Sequence, residues 1–275
     1  MLRLVSQLNA QNRQSEVKSI MRFSSSSGCV QVEDSVAVES LFRIVLNGTE
    51  FAVASILPGM EREFTYGFLF AAGAIGEAQD IADFSFDIER GVAFVHTSKD
   101  TPPSSIPSAP YILSTACGSE PQTLSTAGLK PLQDDLYVRL ETIMDAVKHI
   151  ERDSLLFRST GGVHSAALFT TKGELIHRAD DIGRHNAFDK VAGACMLNKT
   201  ENLCESFIVS TGRLSAEIVS KCWRLAIPIL ASSSCVTTRA IEIAGAANIT
   251  LAGFVRANRL NVYIVCERIA GCGEK

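Results

Sequence analysis

The sequence has no apolar run approaching the ~18 residues that a bilayer-spanning helix needs and no apolar stretch of the secretory type near its start. None of its 8 cysteines are spaced C-x-x-C. In 275 residues that is not a disulfide framework, and it predicts a chain kept reduced, in the cytoplasm. Charge of one sign is also scarce. Against 26 Lys and Arg stand 30 Asp and Glu, a net charge of −4, which gives no general attraction for nucleic acid or a membrane surface. Neither G-x-G-x-x-G nor G-x-x-x-x-G-K-[ST] occurs, so dinucleotide and P-loop readings lack their phosphate cradle. His149-Ile150-Glu151 is an H-x-E without the P-C-x-x-C that completes a zinc deaminase, and no other ligand set has zinc spacing.

What is present divides into three parts. Residues 1–28 carry Arg3, Arg13, Lys18 and Arg22 against Glu16 and are Ser-rich at Ser24 to Ser27; they read as a flexible extension. Residues 29–110 read as a small hairpin-based α+β portion. Asn47-Gly48 between apolar runs is a two-residue hairpin signal. A helix is expected over 61–75, with Gly73 near its end, and a second strand pair over 81–97. Pro and Ser fill the loop from Lys99 to Pro110. Residues 111–275 read as a layered α/β domain. A helix is expected over about 133–150, then a hairpin around Thr171-Lys172-Gly173. After it, helix faces at Ala187 to Cys195, Ile218 to Ala226 and Thr238 to Ala247 alternate with short apolar strands.

Three polar clusters interrupt the apolar pattern: Thr160 to His164, Asp180 to Lys190, and Ser210 to Glu217. The second and third fall where a strand runs into a helix. Free N–H groups and the helix dipole favour an anion there, and Arg184 and Arg213 add bidentate phosphate donors. The alternative is plain capping, with Asp180 or Asp181 as an N-cap and Ser215 in a first turn. His164 and His185 sit in these clusters either as hydrogen-bonded structural groups or as catalytic ones. Cys117 lies in Ser114-Thr115-Ala116-Cys117-Gly118-Ser119-Glu120-Pro121, a loop composition. Cys195 and Cys222 fall on apolar helix faces and are expected in the core.

Taken together, these strings resemble the formate dehydrogenase accessory proteins, the FdhD-type sulfur carriers. Tyr66 to Ile75, Thr160 to His164, Asp181 to Lys190, Ser210 to Glu217 and Ile249 to Arg256 all look like that family's signatures, over roughly residues 30–265. Asp181 to Lys190 is the most specific of them. The resemblance implies a cytidine-deaminase-like larger domain without its zinc. It implies persulfide sulfur carried on Cys117 from a cysteine desulfurase to bis-molybdopterin guanine dinucleotide, the cofactor of formate dehydrogenase. It also implies a cofactor site over Phe254, Val255, Arg256, Ala257, Asn258 and Arg259, and a homodimer; Arg184, His185 and Arg213 in the polar clusters are further candidates for that site. No nucleic-acid or membrane partner is implied. The family's second loop cysteine is Glu120 here. That exchange removes a resolving thiol and adds a charge opposing thiolate formation. It keeps two other readings open, a cofactor-binding chaperone without sulfur transfer and a cysteine hydrolase using Cys117 with His164 or His185.

Overall fold

The computed structural model describes residues 13–26, 28–98, 110–113, 126, 129–133 and 135–270. Its first element departs from expectation. Ser15–Ser24 (β1) and Gly28–Ala37 (β2) pair antiparallel over ten positions, so the expected boundary at 28/29 falls inside a hairpin. Val17, Met21 and Phe23 point into solvent. The ribbon therefore contributes nothing to a core pattern that sequence reading could detect. At its root, Gln14 donates from Nε2 to the Pro58 carbonyl at 2.9 Å.

Ser40–Leu46 (β3) and Thr49–Ile56 (β4) form the expected hairpin. Asn47 and Gly48 both take positive φ, 50° and 82°, as the favoured two-residue turn requires. Glu61–Ala71 (α1) follows and buries Phe64, Phe68 and Leu69 against Phe42, Phe51 and Ile56. It ends one turn earlier than expected, at Ala71, and the φ of 75° at Gly73 lets the Ala74 N–H close back on the Leu69 carbonyl at 2.9 Å. Ile81–Asp87 (β5), Val92–Thr97 (β6) and Tyr111–Leu113 (β7) complete a five-stranded sheet ordered β5-β6-β3-β4-β7. Because β7 pairs with β4, this sheet extends past the expected boundary at residue 110.

Val138–Arg139 (β8) pairs with Ile269–Ala270 far along the chain. The helix expected from about 133 therefore starts at Leu140, as Leu140–Asp153 (α2). Leu155–Thr160 (α3) had no periodic signal; Ser154 caps it by accepting from the Phe157 N–H at 3.0 Å. His164–Thr170 (β9) and Leu175–Asp181 (β10) form the next hairpin. Arg184–Leu197 (α4), Ser206–Ser210 (β11), Ala216–Arg224 (α5), Ile229–Ser232 (β12), Thr238–Ala247 (α6), Thr250–Arg256 (β13) and Arg259–Ile264 (β14) follow, and Ile269–Ala270 is β15.

The six-stranded sheet runs β10-β9-β11-β12-β13-β14, with β11, β12 and β13 parallel. Alternation along these strands sorts side chains to two faces. Ala166, Leu168, Ile208, Leu230 and Leu251 face α4, α5 and α6. Ala167, Phe169, Phe207, Val209 and Ile229 face α2. Burial on both sides explains why the central strands read as unbroken apolar runs. Cys195 and Cys222 are core residues, as expected.

The two sheets are joined by a helix crossing. A methyl group on Gly67 of α1 would sit 1.9 Å from the Asp189 carbonyl oxygen, and one on Gly193 of α4 would sit 1.8 Å from that of Glu63. The backbones themselves are in contact there, which only glycine permits. The helix α4 is buried on nearly every side, between α1 and the larger sheet.

Candidate functional site

The parallel strands decide where the polar clusters meet. β11, β12 and β13 all end at one edge of the sheet, where Ser210 pairs with Ser232. The antiparallel β9 begins there and β10 ends there, since His164 pairs with Asp181 and Ala166 with Ser210. In open α/β sheets the carboxyl ends of the strands are where ligands bind. Here a cavity of about 520 Å³ opens, with His164, Ser165, Ile182, Thr211, Ser233 and Phe157 in its lining. The three clusters, 160 residues into the chain and later, are thus brought to one rim.

His164 is half-buried on that rim. Burial first, then the nearby charges of Arg184 and Arg213, hold its pKa below the ordinary value against the opposing pull of Asp181. Its ring is therefore neutral at pH 7, with Nδ1 3.5 Å from Thr211 Oγ1. Arg184 crosses Gly212 so closely that a methyl there would lie 2.6 Å from the Arg184 Cβ. Among the described residues, the buried Nε of Arg184 has no hydrogen-bond partner. Arg213 is exposed. The two guanidinium groups lie near His164 on this rim, while the cavity lining itself carries Glu151.

The most specific string, Asp181 to Lys190, turns out to be mostly a structural weld. Asp181 is not the N-cap of α4; Gly183 is, with no side-chain cap. Asp181 is wholly buried, and its Oδ1 accepts from the Gly183 N–H and Asn186 Nδ2, each at 2.9 Å. Its Oδ2 accepts from the Leu57 N–H at 3.1 Å and pairs with Lys190 Nζ at 2.7 Å. Lys190 also donates to the Leu57 carbonyl at 2.7 Å. Buried charges need such partners, and these tie the segment after β4 to the larger sheet.

His185 likewise does not line the cavity. Its Nδ1 lies 3.1 Å from Glu217 Oε2 and its Nε2 3.2 Å from Ser215 Oγ. Burial pushes its pKa down to about 4, against the opposing charge of Glu217. Glu217 pairs with Lys221 at 3.2 Å, and Lys221 with Asp189 at 2.8 Å. Complete burial raises the Asp189 carboxyl to about 6 against the pull of Lys221. Ser215 is the N-cap of α5, but its hydroxyl makes no cap bond. With both His185 nitrogens committed, a cysteine–histidine dyad would have to use His164.

The segment Phe254 to Arg259 forms the tip of the β13–β14 hairpin. Phe254 takes φ 49° and donates its N–H to the Ser234 carbonyl at 2.9 Å. Arg256 reaches the Ser233 carbonyl from Nη1 at 2.6 Å, which places this tip against the cavity wall. Arg256, Ala257, Asn258 and Arg259 are exposed, whereas the Val255 side chain is buried in the core on the α2 side. The Val255 side chain is therefore a packing group. Cys117 and Glu120 lie outside the described residues. Ser232-Ser233-Ser234, which sequence reading passed over, completes the rim. The available signal was a polar run after a short apolar strand that continues the β11 and β13 pattern. Among the described residues, no group of three or more His, Cys, Asp and Glu is placed to hold a metal ion, and no helix is long and apolar enough to cross a membrane.

The chain has known relatives. The sulfur carrier protein FdhD of Sulfolobus acidocaldarius is 35% identical over 237 residues, covering 86% of this chain and 92% of that protein. Its namesake in Bacillus subtilis is 34% identical over 247 residues, covering 87% and 92%. A crystal structure from Desulfotalea psychrophila, described as a formate dehydrogenase accessory protein, superposes with a TM-score of 0.75 at 27% identity, covering 93% of this chain and 99% of that one. The sequence model of the FdhD/NarQ family matches residues 37–270. Those residues span both sheets and every cluster on the rim, and the chain belongs to the FdhD/NarQ family.

Proposed function

We propose that the chain is a sulfur carrier for formate dehydrogenase maturation, holding persulfide sulfur on Cys117 and passing it to the guanine-dinucleotide form of the molybdenum cofactor. The observation that carries this reading is the gathering of arginines beside the cavity at the carboxyl ends of β11, β12 and β13. There, in a member of the FdhD/NarQ family, Arg184 and Arg213 lie near His164 in the wall of a cavity of about 520 Å³, and Arg256 bonds the carbonyl of Ser233 in the same wall. That volume lies within the range of small-molecule sites and takes a nucleoside diphosphate portion. Arg184, Arg213, Arg256 and Arg259 hold phosphate oxygens, and Phe254 offers an exposed ring beside them. His185 supports the rim from behind. The cofactor is cargo, and the chain's partners are a cysteine desulfurase as sulfur donor, formate dehydrogenase as recipient and a second copy in a homodimer. We read the six-stranded layer with helices on both faces as the family's cytidine-deaminase-like domain. The six described cysteines are all free, which supports a reducing, cytoplasmic location.

One sequence feature favours a second reading. Glu120 stands where the family's loop has another cysteine, and a chaperone that holds cofactor without transferring sulfur has no need of that thiol. The test is intact-mass spectrometry after incubation with a cysteine desulfurase and cysteine, alongside a thermal-shift measurement with GDP. A gain of one sulfur atom mapped to Cys117 supports the carrier. Stabilisation by GDP without any sulfur gain selects the chaperone, and neither effect removes both readings.

A further inference from the structure

His185, Ser215 and Glu217 are not placed as a structural histidine and two helix-start residues ordinarily are. A serine at an N-cap normally turns its oxygen to the first-turn N–H groups. Ser215 occupies the N-cap of the nine-residue helix α5, yet makes no such bond. Its Oγ instead lies 3.2 Å from His185 Nε2. On the other side of the ring, Nδ1 lies 3.1 Å from Glu217 Oε2. The carboxylate holds the proton on Nδ1, which leaves the Nε2 lone pair to accept from the serine hydroxyl. This is the order of contacts that activates serine in acyl-transfer enzymes, and it is recognised by geometry and not by chain order.

The surroundings complete the requirement. Lys221, paired with Glu217 at 3.2 Å and with Asp189 at 2.8 Å, keeps the Glu217 carboxyl ionised below its ordinary pKa. Ser215 heads α5, whose first-turn N–H groups carry no side-chain cap from it. Ser215 is itself half-exposed. Arg184 and Arg213 both act on His185, and the buried Nε of Arg184 has no partner among the described residues.

We propose that Ser215 is a second nucleophile of this chain, activated by His185 and Glu217 and directed at esters that carry a phosphate or carboxylate. The Ser215 Oγ attacks the ester carbonyl carbon while its proton passes to His185 Nε2. The ester C–O bond then breaks, and the departing alcohol takes that proton. Water, activated by the same ring, releases the acid and restores Ser215. No oxidant or metal enters either step. This activity is separate from persulfide chemistry at Cys117 and stands or falls without it. The buried ring is neutral at pH 7 but a poor base, so proton transfer is weakly driven and turnover is slow. Covalent capture by a strong electrophile is therefore the readout to use.

The full chain is treated at neutral pH with diisopropyl fluorophosphate. In that reaction the Oγ–P bond forms, the P–F bond breaks and fluoride leaves. One phosphoryl group per chain, mapped by peptide sequencing to Ser215, is the expected result. Ser215→Ala abolishes the adduct. Ser220→Ala, which alters a hydroxyl on the same helix bonded to the Ala216 carbonyl, retains it. His185→Gln and Glu217→Gln slow labelling at least ~100-fold while retaining the wild-type unfolding transition. Hydrolysis of 4-nitrophenyl succinate, faster than that of the uncharged acetate and lost in Ser215→Ala, gives the substrate class. Native wild-type chain that acquires no adduct on Ser215 overturns the proposal, as does an adduct whose rate is the same in His185→Gln.

Discussion

At the scale of single residues, the proposed site is a set of donors held in place by neighbouring groups. Arg256 illustrates this. Its Nη1 already bonds the Ser233 carbonyl, so the rest of its guanidinium is aimed, with little freedom left to lose on binding. Arg256→Ala should weaken GDP binding by about 1.5–3 kcal/mol, the range for a charge-assisted bond, and titration calorimetry measures it. Unchanged affinity would remove the hairpin tip from the site. His185 gives a pH prediction. Its folded pKa is about 4 and its unfolded value about 6.5. Between these the unfolded chain binds a proton that the folded chain refuses, so stability is complete above pH 6.5 and is lost as pH falls towards 4, by about 3 kcal/mol at most. Asp189, raised to about 6, acts in the opposite direction over much of that window. The informative quantity is therefore a difference: urea midpoints measured from pH 7 to 4 should fall less steeply in His185→Gln than in wild type.

Among the elements, the α1–α4 crossing and the Asp181–Lys190 pair carry the joint between the two sheets. Gly193→Ala cannot be absorbed by a rotamer change, because the obstruction is the Glu63 carbonyl. A loss of about 1–3 kcal/mol or more in a denaturant titration is expected. Asp181→Asn keeps the shape but leaves Lys190 charged and buried without its partner, at a cost of about 3–5 kcal/mol. A GDP affinity that survives in Asp181→Asn chain still folded would bear out its role as a weld. These elements also show what could be read from sequence. Asn47-Gly48, Gly73 and the face from Thr238 to Ala247 act through local backbone chemistry, so their positions were legible. The hairpin at Ser15 to Ala37 was not, because its apolar side chains meet solvent. The role of Asp181 was not, because its partners, Leu57 and Lys190, belong to different elements. A string of polar residues at a helix start looks the same whether it faces a ligand or a buried neighbour. Charge at the strand ends marked Arg184 and Arg213, which the fold brings near His164, whereas Cys117 lies outside the described residues. The Ser215–His185–Glu217 contacts needed the fold, since they join the start of α4 to the start of α5.

Across the whole molecule, the crossing of α1 and α4 has a consequence for how the chain comes into being. Gly67 meets its counterpart Gly193 about 125 residues later in the sequence. At a synthesis rate of about 5–20 residues per second, the first sheet leaves the ribosome roughly ten seconds before the helix that must cover its own. During that interval the open flank of α1, with its bare backbone at Gly67, has nothing to rest on. The first sheet is thus a half-finished object until the second is made, and long-range closure of this kind is slow. A fragment ending before Arg184 should show no cooperative unfolding transition and should bind a dye that reports exposed apolar surface; a sharp transition in that fragment would show that the first sheet stands alone. A nascent chain paused in that interval is a natural client for chaperones that hold unfinished proteins, and the two halves of this molecule mature together or not at all.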